Sequence, residues 1–296
     1  MNNIILNFEL SFEGSNSDKH FIDLYDVSEA LKGFHRTLAL TSHLMLHSEV
    51  ITRAPFVKDI NIFTHPPKEG SWKLIASLAI GGQFLMTGLT SSQDTILGHL
   101  FFSAYDYVIS ESLGFNVDYN KTLGQLYLEH NKDIKLPVIT ESQLDSVIEK
   151  VQDSITEMHR PIYKSNTAEL LKIKAFSEDT NFNLSSVIDI NSYHYIKENV
   201  IDGKIFTVTG VVTSYNSNTY RGRIFISEIN RPIPFEFDSS LKKKINSIKK
   251  VLKSLETHAL KKEHLNITMD VKTIKSRNGK LKAYLVQKIW KESLDN

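Results

Sequence analysis

The chain has 296 residues, 41% of them hydrophobic and 23% charged, which is enough apolar material for one large core or two medium ones and argues against wholesale disorder. It contains no cysteine, which excludes disulfides and thiolate metal sites and fits a reducing compartment, most simply a bacterial or bacteriophage cytoplasm. The net charge of +1 hides an asymmetry: residues 201–296 carry 19 Lys+Arg against 9 Asp+Glu, and residues 1–200 carry 16 against 25. A basic module joined to an acidic one is the pattern expected when one half meets a polyanion, although a lysine-rich solvated helix face accounts for part of the excess.

Met1–Leu10 lacks the basic and apolar regions of a signal peptide. Instead, Ile4–Phe12 alternates apolar and polar residues and predicts a strand ending at Gly14-Ser15-Asn16. Asp26 or Ser28 is placed to cap a helix carrying Val27, Leu31, Phe34 and Leu38 at helical spacing and running to about Ser48. His43 and His47 fall one turn apart on it, with His35 two turns before His43 and Glu49 off their stripe. Two imidazoles supply fewer ligands than zinc needs, so the spacing predicts a polar helix face or hydrogen-bonded partners in the acidic domain, and no metal. Asp59–Thr64 and Ser71–Leu78 read as a hairpin across HPPKEG.

Between Lys73 and Asp106 the only formal charge is Asp94. The stretch Leu74–Gln93 has the length of a membrane span, but glycines, Gln83 and the TSSQ end dilute its hydrophobicity, so it reads as core or oligomer interface, with a membrane-active segment 74–105 as the alternative. Thr95–Leu113 predicts a helix closed by Gly114. Thr140 and Gln143 form a capping-box pattern ahead of a helix carrying Leu144, Val147, Ile148, Val151 and Ile155, with Pro161 beyond it. Ala168–Ala175 and Ser192–Asn199 carry short helical patterns.

The strongest pattern is C-terminal. Strands at Lys204–Tyr215, Arg223–Glu228 and Pro232–Phe237, a helix from Ser239 to Lys262, and strands at Leu265–Ile274 and Lys282–Trp290 follow the chain order of an OB-fold. Leu241, Ile245, Ile248, Leu252 and Leu255 mark the expected inner face of the helix, with lysines opposite. The fold class is therefore α+β: an N-terminal strand-helix-hairpin plus helices, and a C-terminal OB-like five-stranded barrel with one helix. The expected division is 1–135, a helical connecting region 136–200, and the basic barrel 201–296.

OB-folds gather ligands at the loops joining strands one to two and four to five. Here the first loop offers Tyr215, Asn216, Tyr220, Arg221 and Arg223, and the second Lys275, Arg277 and Lys280 around an Asn-Gly turn. Alternation places Phe225 on the face of Arg223, and Lys282 and Tyr284 on an exposed face of the last strand. Cations for phosphates with rings for stacking bases make these eleven residues a candidate DNA or RNA interface. A phosphate-binding loop, a dinucleotide fingerprint and a nucleophile elbow are all lacking, and no cofactor is expected, so the reading is non-enzymatic.

LYDVSEALKGFHRTLALTSHLML, followed by ITRAP and EGSWKLIASL, resembles the front half of uncharacterised two-domain bacterial proteins with an OB-like or SH3-like barrel behind. The resemblance implies no activity or catalytic residues; it suggests an accessory component of an anti-phage or mobile-element system. Expected partners are DNA or RNA at the barrel and a second copy or another protein at the N-terminal domain. A membrane-disturbing effector and a protein-interaction scaffold stay open as alternatives.

Overall fold

Leu6, Phe8, Leu10 and Phe12 occupy alternate positions of one strand and are almost completely buried, which fixes the inner face of the first sheet. The computed structural model describes residues 4–54, 57–65, 72–80, 91–115, 117, 119, 123–130, 137–176, 181–229, 231–260, 265–276, 279 and 281–294. The chain divides into two units, Met1–Ile196 and Lys197–Asn296.

In the first unit, β1 (Ile4–Glu13), α1 (Leu24–His47), β2 (Ile60–Thr64), β3 (Trp72–Ile80), α2 (Ser91–Ser112), α3 (Gln125–His130), α4 (Glu141–Met158), α5 (Arg160–Tyr163), β4 (Leu170–Phe176), β5 (Asn181–Asn183), β6 (Ile188–Asp189) and α6 (Ile190–Lys197) follow in order. The sheet is antiparallel, in the order β2-β3-β1-β4-β5, with β6 also on β4. Its apolar side joins one core with α1, α2 and α4, in which Phe8 meets Phe102 and Tyr105 edge-on.

The predicted opening strand, hairpin and three long helices are all present, with the Thr140–Gln143 capping box formed in both directions. Asp23 is the N-cap of α1, accepting from the Asp26 N–H, in place of the expected Asp26 or Ser28. The segment from Ala168 to Ala175 is corrected from helical to strand: Leu171, Ile173 and Ala175 are buried at a period of two, and β4 pairs along β1. Residues 136–196 thus belong to the first unit and contribute one of its inner strands.

Leu74–Ile80 is strand, paired on both sides, so the weakly charged stretch 74–93 is not one helix. Residues 81–90 lie outside the described set. No helix among the described residues is long and apolar enough to cross a membrane. Gly114 closes α2 at φ +79°, where an added Cβ would lie 2.0 Å from the Tyr195 ring.

The second unit contains β7 (Val200–Ile201), β8 (Phe206–Asn216), β9 (Arg221–Ile226), β10 (Arg231–Phe237), α7 (Ile245–Ala259), β11 (Leu265–Lys275) and β12 (Leu281–Leu294). Pairings run β8–β9–β10–β12–β11 and return to β8, closing a five-stranded barrel. Every barrel pairing is antiparallel except β10–β12, giving OB topology with α7 between the third and fourth strands. Val212, Ile224, Phe235, Met269 and Val286 fill the interior.

The helix is seated differently from its heptad. Ser247, Val251 and Ser254 are its buried residues, Ile248 and Leu255 are partly buried, and Ile245 and Leu252 remain 68% and 46% exposed. The cause is Ser254, whose hydroxyl accepts from the Val212 N–H at 3.0 Å and donates to the Leu265 carbonyl at 2.7 Å. This bridge ties α7 to two barrel strands through a small side chain and leaves the bulkier seam outside.

Candidate nucleic-acid interface

Strand register decides which side chains share the barrel's outer face. Ile224 lies inside at 0% exposure, so its neighbours Arg223 and Phe225 turn outward, as does Arg221. Arg221 stands between Asn216 and Glu236, Arg223 between Ser214 and Pro234, and Phe225 between Val211 and Pro232. Three expected residues thus form a row along β9, beside prolines that leave the strand surface without long side chains. The Arg221 side chain is about half exposed and contacts Glu236 at 3.2 Å, whereas Arg223 is only 9% exposed. An exposed ion pair of this kind contributes at most about 1 kcal/mol, so a phosphate can compete for Arg221.

The turn ahead of β9 is held by Asn216, whose side-chain oxygen accepts from the Asn218 and Thr219 N–H groups. Asn216 therefore shapes the loop. Tyr220 completes it in a left-handed conformation at φ 56°, half-buried against the barrel core, with the Lys242 ammonium 5.8 Å from its ring centroid. Lys242 escaped the sequence reading because it lies after the third strand; the run LKKK was visible, but its nearness to Tyr220 was not.

Two aromatics are corrected from exposed to internal. A bulge between Val212 and Ser214 shifts the phase of β8, so that Tyr215 points inward opposite Gly222, stacks on Phe235 and lies tilted against Phe237. Its hydroxyl is buried without a hydrogen-bond partner among the described residues, and burial pushes its pKa up to about 12. Gly222 makes the room: a Cβ there would come within 2.3 Å of the Ser214 carbonyl oxygen and 2.7 Å of the Phe235 ring. Tyr284 is 4% exposed and meets Phe206 edge-on, because β12 turns Tyr284 and Val286 into the core, against which Leu281 also packs beyond a register shift.

Lys282 falls at the register shift between Leu281 and Ala283, where its ammonium donates to the Glu198 carbonyl and the Asn199 side chain. Burial lowers its pKa to about 8. Lys275 pairs with Asp202 at 3.3 Å; the Asp202 carboxyl is held below its usual range by the Lys204 N–H first and Lys275 second. Arg277 and Lys280 lie outside the described residues. The described part of the expected site is thus Arg221 and Phe225 on the outer side of β9 with the Tyr220 loop, Arg223 being nearly buried between them, while Tyr215 and Tyr284 pack against the barrel core and Lys282 is held by Glu198 and Asn199.

In the first unit, His43 is 5% exposed with both ring nitrogens lacking hydrogen-bond partners among the described residues, and its ring lies 4.6 Å from that of His47. Burial lowers its pKa, with the neighbouring His47 adding to the effect. His47 instead reaches the Lys58 carbonyl at 3.1 Å and Asp59 at 3.7 Å. Hence His43 belongs to the interior and not to a polar face. Among the described residues no group of three His, Cys, Asp or Glu side chains is arranged to hold a metal ion.

The model of a family described as a domain of unknown function, DUF7946, matches residues 8–197. The chain belongs to this family. The DUF7946 match ends where the first compact unit ends, so the barrel carrying the candidate interface lies beyond it. No curated protein and no solved structure matches the chain.

Proposed function

We propose that this DUF7946 protein is a non-enzymatic nucleic-acid-binding or sensing protein whose barrel holds single-stranded DNA or RNA. The observation that supports this reading is Arg221 and Phe225 on the outer side of β9 of a closed OB-topology barrel, with Arg223 nearly buried between them and Tyr220 and Lys242 at the adjoining turn. Arginine and lysine follow phosphates and Phe225 offers a face for a base, each stacked base contributing about 1–3 kcal/mol. The acidic DUF7946 unit recruits a partner or a second copy. The setting is a bacterial cytoplasm, as an accessory component of an anti-phage or mobile-element system.

Fluorescence polarisation with labelled single- and double-stranded DNA and RNA tests it. Affinity should fall steeply from 50 to 200 mM salt, as phosphate contacts release counterions. The Arg221→Ala/Phe225→Ala variant should weaken binding by at least about tenfold, in keeping with one lost stack and one lost charge. Equal binding by wild type and variant would remove this face from the interface. Absence of binding at 50 mM salt to every nucleic acid offered would refute the proposal itself.

A further inference from the structure

The barrel leaves two aliphatic side chains of α7 exposed. A helix packed by its heptad would bury Ile245 and Leu252; the Ser254 bridge turns them out, so two aliphatic side chains two turns apart stand in solvent. Around them Lys243, Lys244 and Lys249 are exposed, while Glu256 is the only carboxylate on the helix. Trp290, on β12, is 45% exposed under the Lys288 ammonium, and Lys250 of α7 donates to its carbonyl.

We propose that this face docks on an anionic lipid bilayer. The chemistry selects among occupants. A second copy of the same face would bring lysine against lysine. Nucleic acid takes cations and flat rings, but gains little from Ile245 and Leu252, which cannot stack. A bilayer with acidic headgroups uses both features: lysines sit over the headgroups and the aliphatic pair enters the acyl boundary, with tryptophan at the interface. This surface is separate from the β9 row, so either can fail without the other.

Sedimentation of the full-length protein with vesicles tests it, using phosphatidylcholine alone and phosphatidylcholine with phosphatidylglycerol. The protein should pellet with the anionic vesicles and stay in solution with the neutral ones. Ile245→Glu/Leu252→Glu should reduce that binding at least about tenfold, since each added carboxylate is repelled by the surface and removes an inserting side chain. Its circular dichroism and melting should be unchanged, because both sites are exposed, and Arg221→Ala/Phe225→Ala should still bind vesicles. Equal binding by the glutamate variant, or no preference for anionic vesicles, would overturn the proposal. So would a protein that ignores vesicles while Lys244→Glu/Lys249→Glu abolishes its binding to oligonucleotide.

Discussion

Replacing residues on opposite sides of α7 gives a quantitative test of how the barrel is closed. Ser254→Ala removes the hydroxyl that satisfies the Val212 N–H and the Leu265 carbonyl, both at buried residues. Leaving buried backbone groups unpaired costs about 1–3 kcal/mol, so a loss of about 2–3 kcal/mol is expected. Val251→Ala, at 0% exposure, removes two methyl groups' worth of packing and should cost about 2 kcal/mol. Ile245→Ala should instead stay within about 0.5 kcal/mol, because the side chain is already in water and alanine is the better helix former. Had the heptad been the buried seam, the order would reverse, with Ile245→Ala costing about 2–5 kcal/mol.

The chain has two tryptophans, Trp72 in the first unit and Trp290 in the barrel, so urea unfolding followed by fluorescence in a Trp72→Phe background reports on the barrel alone. A loss below about 0.5 kcal/mol for Ser254→Ala together with more than about 2 kcal/mol for Ile245→Ala would refute the seating and the lipid-docking face with it.

Further outcomes follow from the same geometry. Lys282 has a folded-state pKa of about 8, below its ordinary value, so the unfolded chain binds more protons between the two; stability should rise with pH above about 8. Lys282→Met should flatten that rise in urea titrations at a series of pH values. His43 is likewise held below its ordinary 6.5, so stability should fall as pH drops through 6.5, and His43→Leu should lessen the loss. Gly222→Ala should destabilise the barrel by about 2 kcal/mol or more, through the backbone contact with Ser214 and the displaced Phe235 ring, read as a lower urea midpoint.

The barrel was legible because its strands are short, alternating and separated by polar turns, and their order admits few closures. Face assignment was not equally legible. Tyr215 reads as part of the first ligand loop, and one extra residue at Val212–Ser214 turns it inward, a shift that no sequence period reveals. On β12 both sides are apolar, so alternation could not tell which set is core; Tyr284 and Val286 are. The seam of α7 was illegible for a different reason: the Ser254 hydroxyl that bridges two barrel strands outweighed aliphatic burial, and a serine in a lysine-rich helix gives little sign of it. In the first unit, Ala168–Ala175 held too few residues to separate a period of two from a helical one, and its pairing with β1 decided the matter.

Ultraviolet cross-linking of an oligothymidine to the full-length protein at 50 mM salt, followed by peptide mapping, tests the nucleic-acid reading most directly. Cross-links should concentrate on the peptide spanning Tyr220 to Phe225 and disappear at high salt. Cross-links confined to residues 1–196, or none on β9 despite measurable binding, would contradict it.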